Sequence, residues 1–261
     1  MRQLAGRDAR VVLACRDSVR GRAALEEISQ QTGNASLSLL SLDLGDFASI
    51  GLGAGEFLAS GEPLHGLINN AGLAGQRGLT KSGFELAFGS NFVGHFLLTH
   101  LLLERLRESA PARIVNVASG AHYNADGIDW DAVRRPTQSL TGMAEYAVSK
   151  LANVLHAQEL ARRLEGTGVN AYALHPGVIA TDIWRRLPRP VRGLMKLRMR
   201  SPSDGAKTSV YCATSPDVAT ESGQYYEDER RAQPSAAATA ELGAELWTRS
   251  TGWIADAPVR G

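Results

Sequence analysis

Short apolar runs that stop at Gly, Pro or a polar residue recur along this chain, and helix-like segments fill the intervals between them. "RIVNVAS" and "VNAYALHPG" are two such runs, with the β-branched and apolar content of strands buried on both faces. On this pattern strands are predicted at Arg10–Cys15, Leu37–Leu42, Leu64–Asn69, Arg113–Ala118, Val169–Leu174 and Gln224–Tyr226. Helices are predicted at Val19–Gln30, Phe47–Ser60, Gly83–Arg107, Glu145–Leu164 and Ser203–Ala213. "FLLTHLLLERLRES" shows the logic: its leucines repeat at helical spacing and its charges fall on the other face. Strand–helix alternation at these lengths predicts an α/β fold, a doubly wound parallel sheet in three α/β/α layers.

The 261 residues are 44% apolar and 21% charged, which suits one α/β domain with a sizeable core. A formal net charge of +1 supplies no whole-molecule field for nucleic acid or an anionic membrane, so neither is an expected partner. Two cysteines, Cys15 and Cys212, make no disulfide framework. Met1 leads straight into a polar, structured pattern, so no signal peptide is expected. No run of about 18 apolar residues is present, so no membrane span or stable membrane insertion is expected, and a cytoplasmic location is the default.

In open α/β sheets ligands bind beyond the carboxyl ends of the strands. Arg16, Asp43, Asn70, Ser119 and the stretch after Leu174 follow strands and are therefore candidates. The sharpest chemical signal is "YAVSK", which sets Tyr146 and Lys150 one turn apart on a helical face. A phenol titrates near 10 in water, and a neighbouring ammonium favours the phenolate, so such a pair can exchange protons with an alcohol or carbonyl. Taken alone, a Tyr-x-x-x-Lys spacing describes many surface pairs. Ser119 adds a hydroxyl at a strand end, suited to a substrate oxygen that gains charge. "LINNAG" ends another strand in small residues, "HPGVIATD" ends a third in a Pro-Gly turn, and Asn91 is a poor helix former inside a helical segment. Each has a bland explanation as turn, cap or packing residue; their order at successive strand ends does not.

In these stretches the chain resembles the short-chain dehydrogenase/reductase family, nearest its retinol-dehydrogenase-like branch. "VVLACRD", "LDL", "NNAG", "NFVGHFLLT", "IVNVAS", "YAVSKLAN", "LHPGVIATD" and "SGQYYED" carry the resemblance, from Arg2 to about Trp253. It implies a Rossmann-like fold and an NADP cofactor, with NAD as the alternative. It implies that Tyr146 is the acid–base group, that Lys150 holds the nicotinamide ribose and lowers the Tyr146 pKa, that Ser119 bonds the substrate oxygen, and that Asn91 holds a relay water. It further assigns Asp43 and Leu44 to the adenine, Asn70, Ala71 and Gly72 to the adenine ribose, and Ile179 and Thr181 to the carboxamide. Arg16 favours NADP, because a guanidinium can grip a 2′-phosphate with two bonds while Asp17 caps the next helix. The expected substrate is a small apolar alcohol or carbonyl compound, and a homodimer or homotetramer is the expected assembly.

Other stretches carry less. "GLGAGE" (residues 51–56) sits within a helical pattern rather than between strand and helix, so it reads as a glycine-loosened helix and not as a phosphate loop. "WRRLPRPVRGLMKLRMR" (residues 184–200) is basic and apolar, and its place after "HPGVIATD" suggests a substrate lid over residues 183–200, ahead of a C-terminal extension at 227–261. His95 and His100 lack metal-ligand spacing and read as a packing and a surface residue. His122 either borders the substrate or caps its loop.

The family's first strand and its T-G-x-x-x-G-x-G turn do not appear. "MRQLAGRDARVVLACRD" matches from the end of the following helix onward, and that strand is expected to be central, with its edges otherwise unpaired. The expectation is that the natural start lies upstream of Met1. The rival reading is a non-catalytic relic or scaffold that keeps the fold without dinucleotide binding; a cofactor-sensing protein is a weaker third. The four intact residues Asn91, Ser119, Tyr146 and Lys150 speak against decay.

Overall fold

The structure is a computed structural model that describes residues 1–177, 202–255 and 257. Helix α1 (Arg2–Ala5) leads into strand β1 (Val11–Cys15). Then follow α2 (Ser18–Thr32), β2 (Leu37–Ser41), α3 (Phe47–Ala59) and β3 (Gly66–Asn69). A short helix α4 (Leu86–Phe88) passes through a π-helical turn at Gly89–Val93 into α5 (Gly94–Glu108). Next come β4 (Ala112–Val117), the 21-residue α6 (Met143–Arg163) and β5 (Val169–His175). Beyond the undescribed segment lie α7 (Pro202–Gly205), α8 (Lys207–Thr214), β6 (Gln224–Glu227), β7 (Arg230–Ala232) and α9 (Ala240–Ile254). The lid expected at 183–200 falls outside the described residues.

The strands form an α/β fold in two sheets. β1 pairs in parallel with β2, Val11 opposite Leu37. β3, β4, β5 and β6 are parallel neighbours in that order, and β7 closes the edge antiparallel. Among the described residues no strand joins β1 to β3. The division falls where the sequence predicts a central strand, and it leaves Val12 and Ala14 exposed on β1.

Local chemistry sets the element ends. The Asp17 carboxylate accepts from the Val19 and Arg20 amides at 3.1 and 3.0 Å, which caps α2 and satisfies two of its orphan donors. Gly33 ends α2 in the left-handed region at φ +72°, where a Cβ would be strained. "GLGAGE" lies inside α3.

Two sequence expectations need correction. The predicted helix Gly83–Arg107 is broken by the π-helical turn, which carries Asn91. α9 and β7 were not predicted. α9 packs on α6, placing Trp247 against Phe96 (ring centroids 5.1 Å apart) and Trp253 against Phe84 (5.3 Å). Phe84, Phe88, Phe92 and Phe96 recur every four residues and build the main core with Ile50, Leu151 and Leu155. By length and composition alone Leu86–Glu108 is long and apolar enough to cross a membrane, which the sequence reading did not expect. The core accounts for that composition, since 72% of the apolar window is buried inside the protein.

The smaller sheet is fastened to the larger through α3 on α5 and through Gly94. A Cβ at Gly94 would lie 2.3 Å from the Leu44 carbonyl oxygen, well inside contact distance. Gly94→Ala must therefore push the β2–α3 connection off α5. The expected loss is about 1–3 kcal/mol of unfolding free energy, read as a lower midpoint in a urea titration.

Candidate active site

β4 is buried along most of its length and delivers Ala118 and Ser119 to the carboxyl end of the larger sheet. Ser119 is extended, at φ −169° and ψ 154°, and its Oγ accepts from the Ala121 amide to start a 3₁₀ turn at Gly120–Asn124. α6 crosses β4 so that its first turns meet this end. Tyr146 is 6% exposed and Lys150, one turn later, 3%. The Lys150 ammonium donates to the Val117 carbonyl at 2.7 Å, and Asn153 Nδ2 donates to the same oxygen at 3.2 Å.

Asn91 joins three elements. Its Nδ2 donates to the Leu73 carbonyl (2.9 Å) and to Ser149 Oγ (3.0 Å), and its Oδ1 accepts the Leu73 amide (2.8 Å). The loop after β3 is thereby pinned to α6. Gly72 lies close against this pair: a Cβ there would sit 3.3 Å from Asn91 Oδ1 and 3.5 Å from Lys150 Nζ. Asn70 and Ala71 next to it are exposed. Thus Asn70, Ala71, Gly72, Asn91, Ser119, Tyr146 and Lys150 gather at one end of one sheet.

Arg16 and Asp43 stand at the ends of β1 and β2. Their charged groups are 3.9 Å apart, and the Arg16 side chain is 80% exposed, so the pair is loose. Asp43 Oδ1 accepts the Gly45 amide at 2.9 Å, and Leu44 presents its carbonyl to Gly94. Ile179 and Thr181 lie outside the described residues. His95 is buried and His100 exposed, while Cys15 and Cys212 are both free thiols.

Burial and the Ser119 hydroxyl, not Lys150, act on the Tyr146 phenol in this structure. Burial pushes the phenol above its ordinary value, and the neighbouring Ser119 hydroxyl opposes this only in part. Burial also pushes the Lys150 ammonium down, to about 8. The amine is turned to the Val117 carbonyl and sits 5.6 Å from the Tyr146 ring centroid. Desolvation disfavours the charged form of both groups.

Sequence reasoning missed Ser149 and Asn153, which brace Asn91 and share the Val117 carbonyl. Both are polar residues on the buried face of a helix, three residues or fewer from Tyr146 or Lys150. That position was the available signal, since buried polar groups need partners.

A family profile described as Enoyl-(Acyl carrier protein) reductase matches residues 1–213. The chain is 46% identical over 253 residues to retinol dehydrogenase 12 of Mus musculus, covering 95% of this chain and 79% of that protein. A crystal structure of an uncharacterized protein from Mycobacterium paratuberculosis aligns with TM-score 0.76 and 30% identity, over 97% of this chain and 87% of that one. An actinorhodin polyketide ketoreductase solved with NADPH shares the fold at TM-score 0.65 and 22% identity, over 86% and 87% of the two chains.

Two histidines behind the site are buried neutral. Burial pushes His95 down to about 4 and His156 to about 3 from an ordinary 6.5. Between those values and 6.5 the unfolded chain binds more protons than the folded one, so stability is full above 6.5 and falls as pH drops through this window. Each group adds a slope of up to about 1.4 kcal/mol per pH unit. Denaturant titrations should show a lower unfolding free energy at about pH 5 than at about pH 7; equal values would contradict neutral burial.

Proposed function

The chain belongs to the short-chain dehydrogenase/reductase family, in its retinol-dehydrogenase-like branch, and on that footing we propose that it is an NADP-dependent oxidoreductase interconverting the alcohol and carbonyl forms of an apolar substrate, with Tyr146 as acid–base group. The observation that carries this reading is the convergence at one strand end of a buried phenol, a buried ammonium one turn away and a serine hydroxyl beside the phenol.

The residues present fit the adenosine and nicotinamide-side contacts of a nicotinamide dinucleotide, while the glycine turn that would cradle its pyrophosphate is not in this sequence. Gly72 lies bare against Lys150 and Asn91, and Asn70 and Ala71 beside it face solvent. They would hold the adenine ribose, and Asp43 with Leu44 the adenine. The Arg16 guanidinium is exposed and only loosely paired. The Asp17 carboxylate, which would otherwise suit a ribose 2′-hydroxyl, is engaged in capping α2. That combination supports a 2′-phosphate, hence NADP over NAD.

When bound, the dinucleotide supplies or accepts the hydride. Ser119 holds the substrate oxygen where charge develops. Tyr146 donates its proton to that oxygen as a carbonyl becomes an alcohol, and takes it back in the reverse direction. Lys150 keeps a cation near the phenol and is held from behind by Val117, while Asn91 keeps the β3 loop and α6 in register around both.

The deciding experiment follows NADPH consumption with decanal and retinal as apolar probes. Tyr146→Phe should lower kcat by about 10²–10⁴-fold with the fold intact by circular dichroism; unchanged turnover would end the proposal. Arg16→Ala should raise the KM for NADPH by about 10-fold or more and leave the KM for NADH nearly unchanged.

A further inference from the structure

His122 is completely buried, and both of its ring nitrogens are engaged. Nδ1 lies 2.7 Å from the Ser119 carbonyl oxygen. Nε2 lies 3.0 Å from the backbone nitrogen of Ser235, in the chain after β7. A carbonyl can only accept and an amide N–H can only donate, so the geometry leaves one tautomer: Nδ1 carries the proton and Nε2 offers its lone pair. The Ser119 carbonyl also accepts the His122 backbone amide at 3.1 Å. Two donors from one residue therefore grip the peptide that carries the Ser119 side chain.

We propose that His122 is a positioning residue for Ser119, working as the neutral Nδ1–H tautomer that ties the catalytic turn to the chain after β7. This rests on the reading that Ser119 holds the substrate oxygen. The turn is held to the same segment a second time, since the Tyr123 hydroxyl donates to the Gln233 carbonyl at 2.7 Å. The His122 ring is packed between Tyr123 and Tyr225, with centroids 4.0 and 4.9 Å away, so it has little freedom to turn. Burial pushes its pKa down, and His175 on β5 acts in the same sense. The Ser119 carbonyl and Glu227 on β6 oppose it. A second ring proton would set N–H against the Ser235 N–H, so the tether exists only in the neutral form. The segment at 233–235 thereby becomes a support of the active site, although it contributes no group to it.

Two measurements test this. In ¹⁵N-histidine-labelled protein the His122 ring should show a protonated Nδ1 and an unprotonated Nε2 at neutral pH; the opposite tautomer would overturn the assignment. His122→Phe keeps a ring between the two tyrosines and removes both bonds. Its kcat with decanal and NADPH should fall at least 10-fold, with KM for either changing less than 3-fold. His122→Asn, whose amide can donate to the Ser119 carbonyl, should recover most of the loss. Unchanged kcat in His122→Phe sinks the inference alone if Ser119→Ala is impaired, and sinks the reading of Ser119 as well if Ser119→Ala is not. Should His122→Phe fail to fold, the tautomer measurement and His122→Asn still decide.

Discussion

The Lys150 ammonium sits inside the protein, donating to the carbonyl of Val117 at the end of β4. Removing a cation from water is costly unless dipoles replace its hydration. Here that replacement depends on α6 lying across β4 closely enough for a side chain to reach the last strand carbonyl. Asn153 reaches the same oxygen from one turn further along. Tyr146 is carried on the same helix, so its place follows from the same packing. Ser119 follows Val117 by two residues, so its place follows from the strand. The placement of Tyr146, Lys150 and Ser119 is thus a consequence of one helix–strand contact.

Behind that contact lies a layer of buried polar groups. Asn69 donates to Thr99 and to Asn116, and Asn116 in turn meets Asn153 and His156. His95 bonds the Asn91 carbonyl, inside the π-helical turn. An unpaired polar group in low dielectric costs more than a made bond contributes, so these donors are held to their partners, while Asn69 Oδ1 is buried without a hydrogen-bond partner. The layer therefore specifies how β3, β4, α5 and α6 fit together more sharply than the surrounding aliphatic contacts can. The aromatic row from Phe84 to Phe96, with Trp247 and Trp253 from α9, seals this layer from the outer side.

The residues proposed for the cofactor sit on both sheets. Arg16 and Asp43 belong to the smaller one, while Asn70 to Gly72, Ser119, Tyr146 and Lys150 belong to the larger. Their relative position is carried by helix packing, α3 on α5 and Gly94 on the Leu44 carbonyl, since no backbone ladder among the described residues joins β1 to β3.

Much of this was legible from residue pattern. Six strands and most helices follow from periodicity, because burial on both faces and burial on one stripe write different spacings into a chain. "YAVSK" places Tyr146 and Lys150 on one face by helical geometry alone, and Asp17 could be read as a cap. α9 is faint in the sequence although Leu242, Leu246, Trp247 and Ile254 repeat at helical spacing, because alanine, serine and threonine around them dilute the pattern. The π-helical turn has no signature of its own.

What the linear order of residues determined was the class of fold and the identity of the groups at the strand ends, since both depend on local spacing and side-chain type. Tertiary structure alone decided the burial of Tyr146 and Lys150, the tautomer of His122 and the partners of Asn91. Those properties depend on solvent exclusion and on contacts between residues far apart in the chain, and no local pattern encodes either.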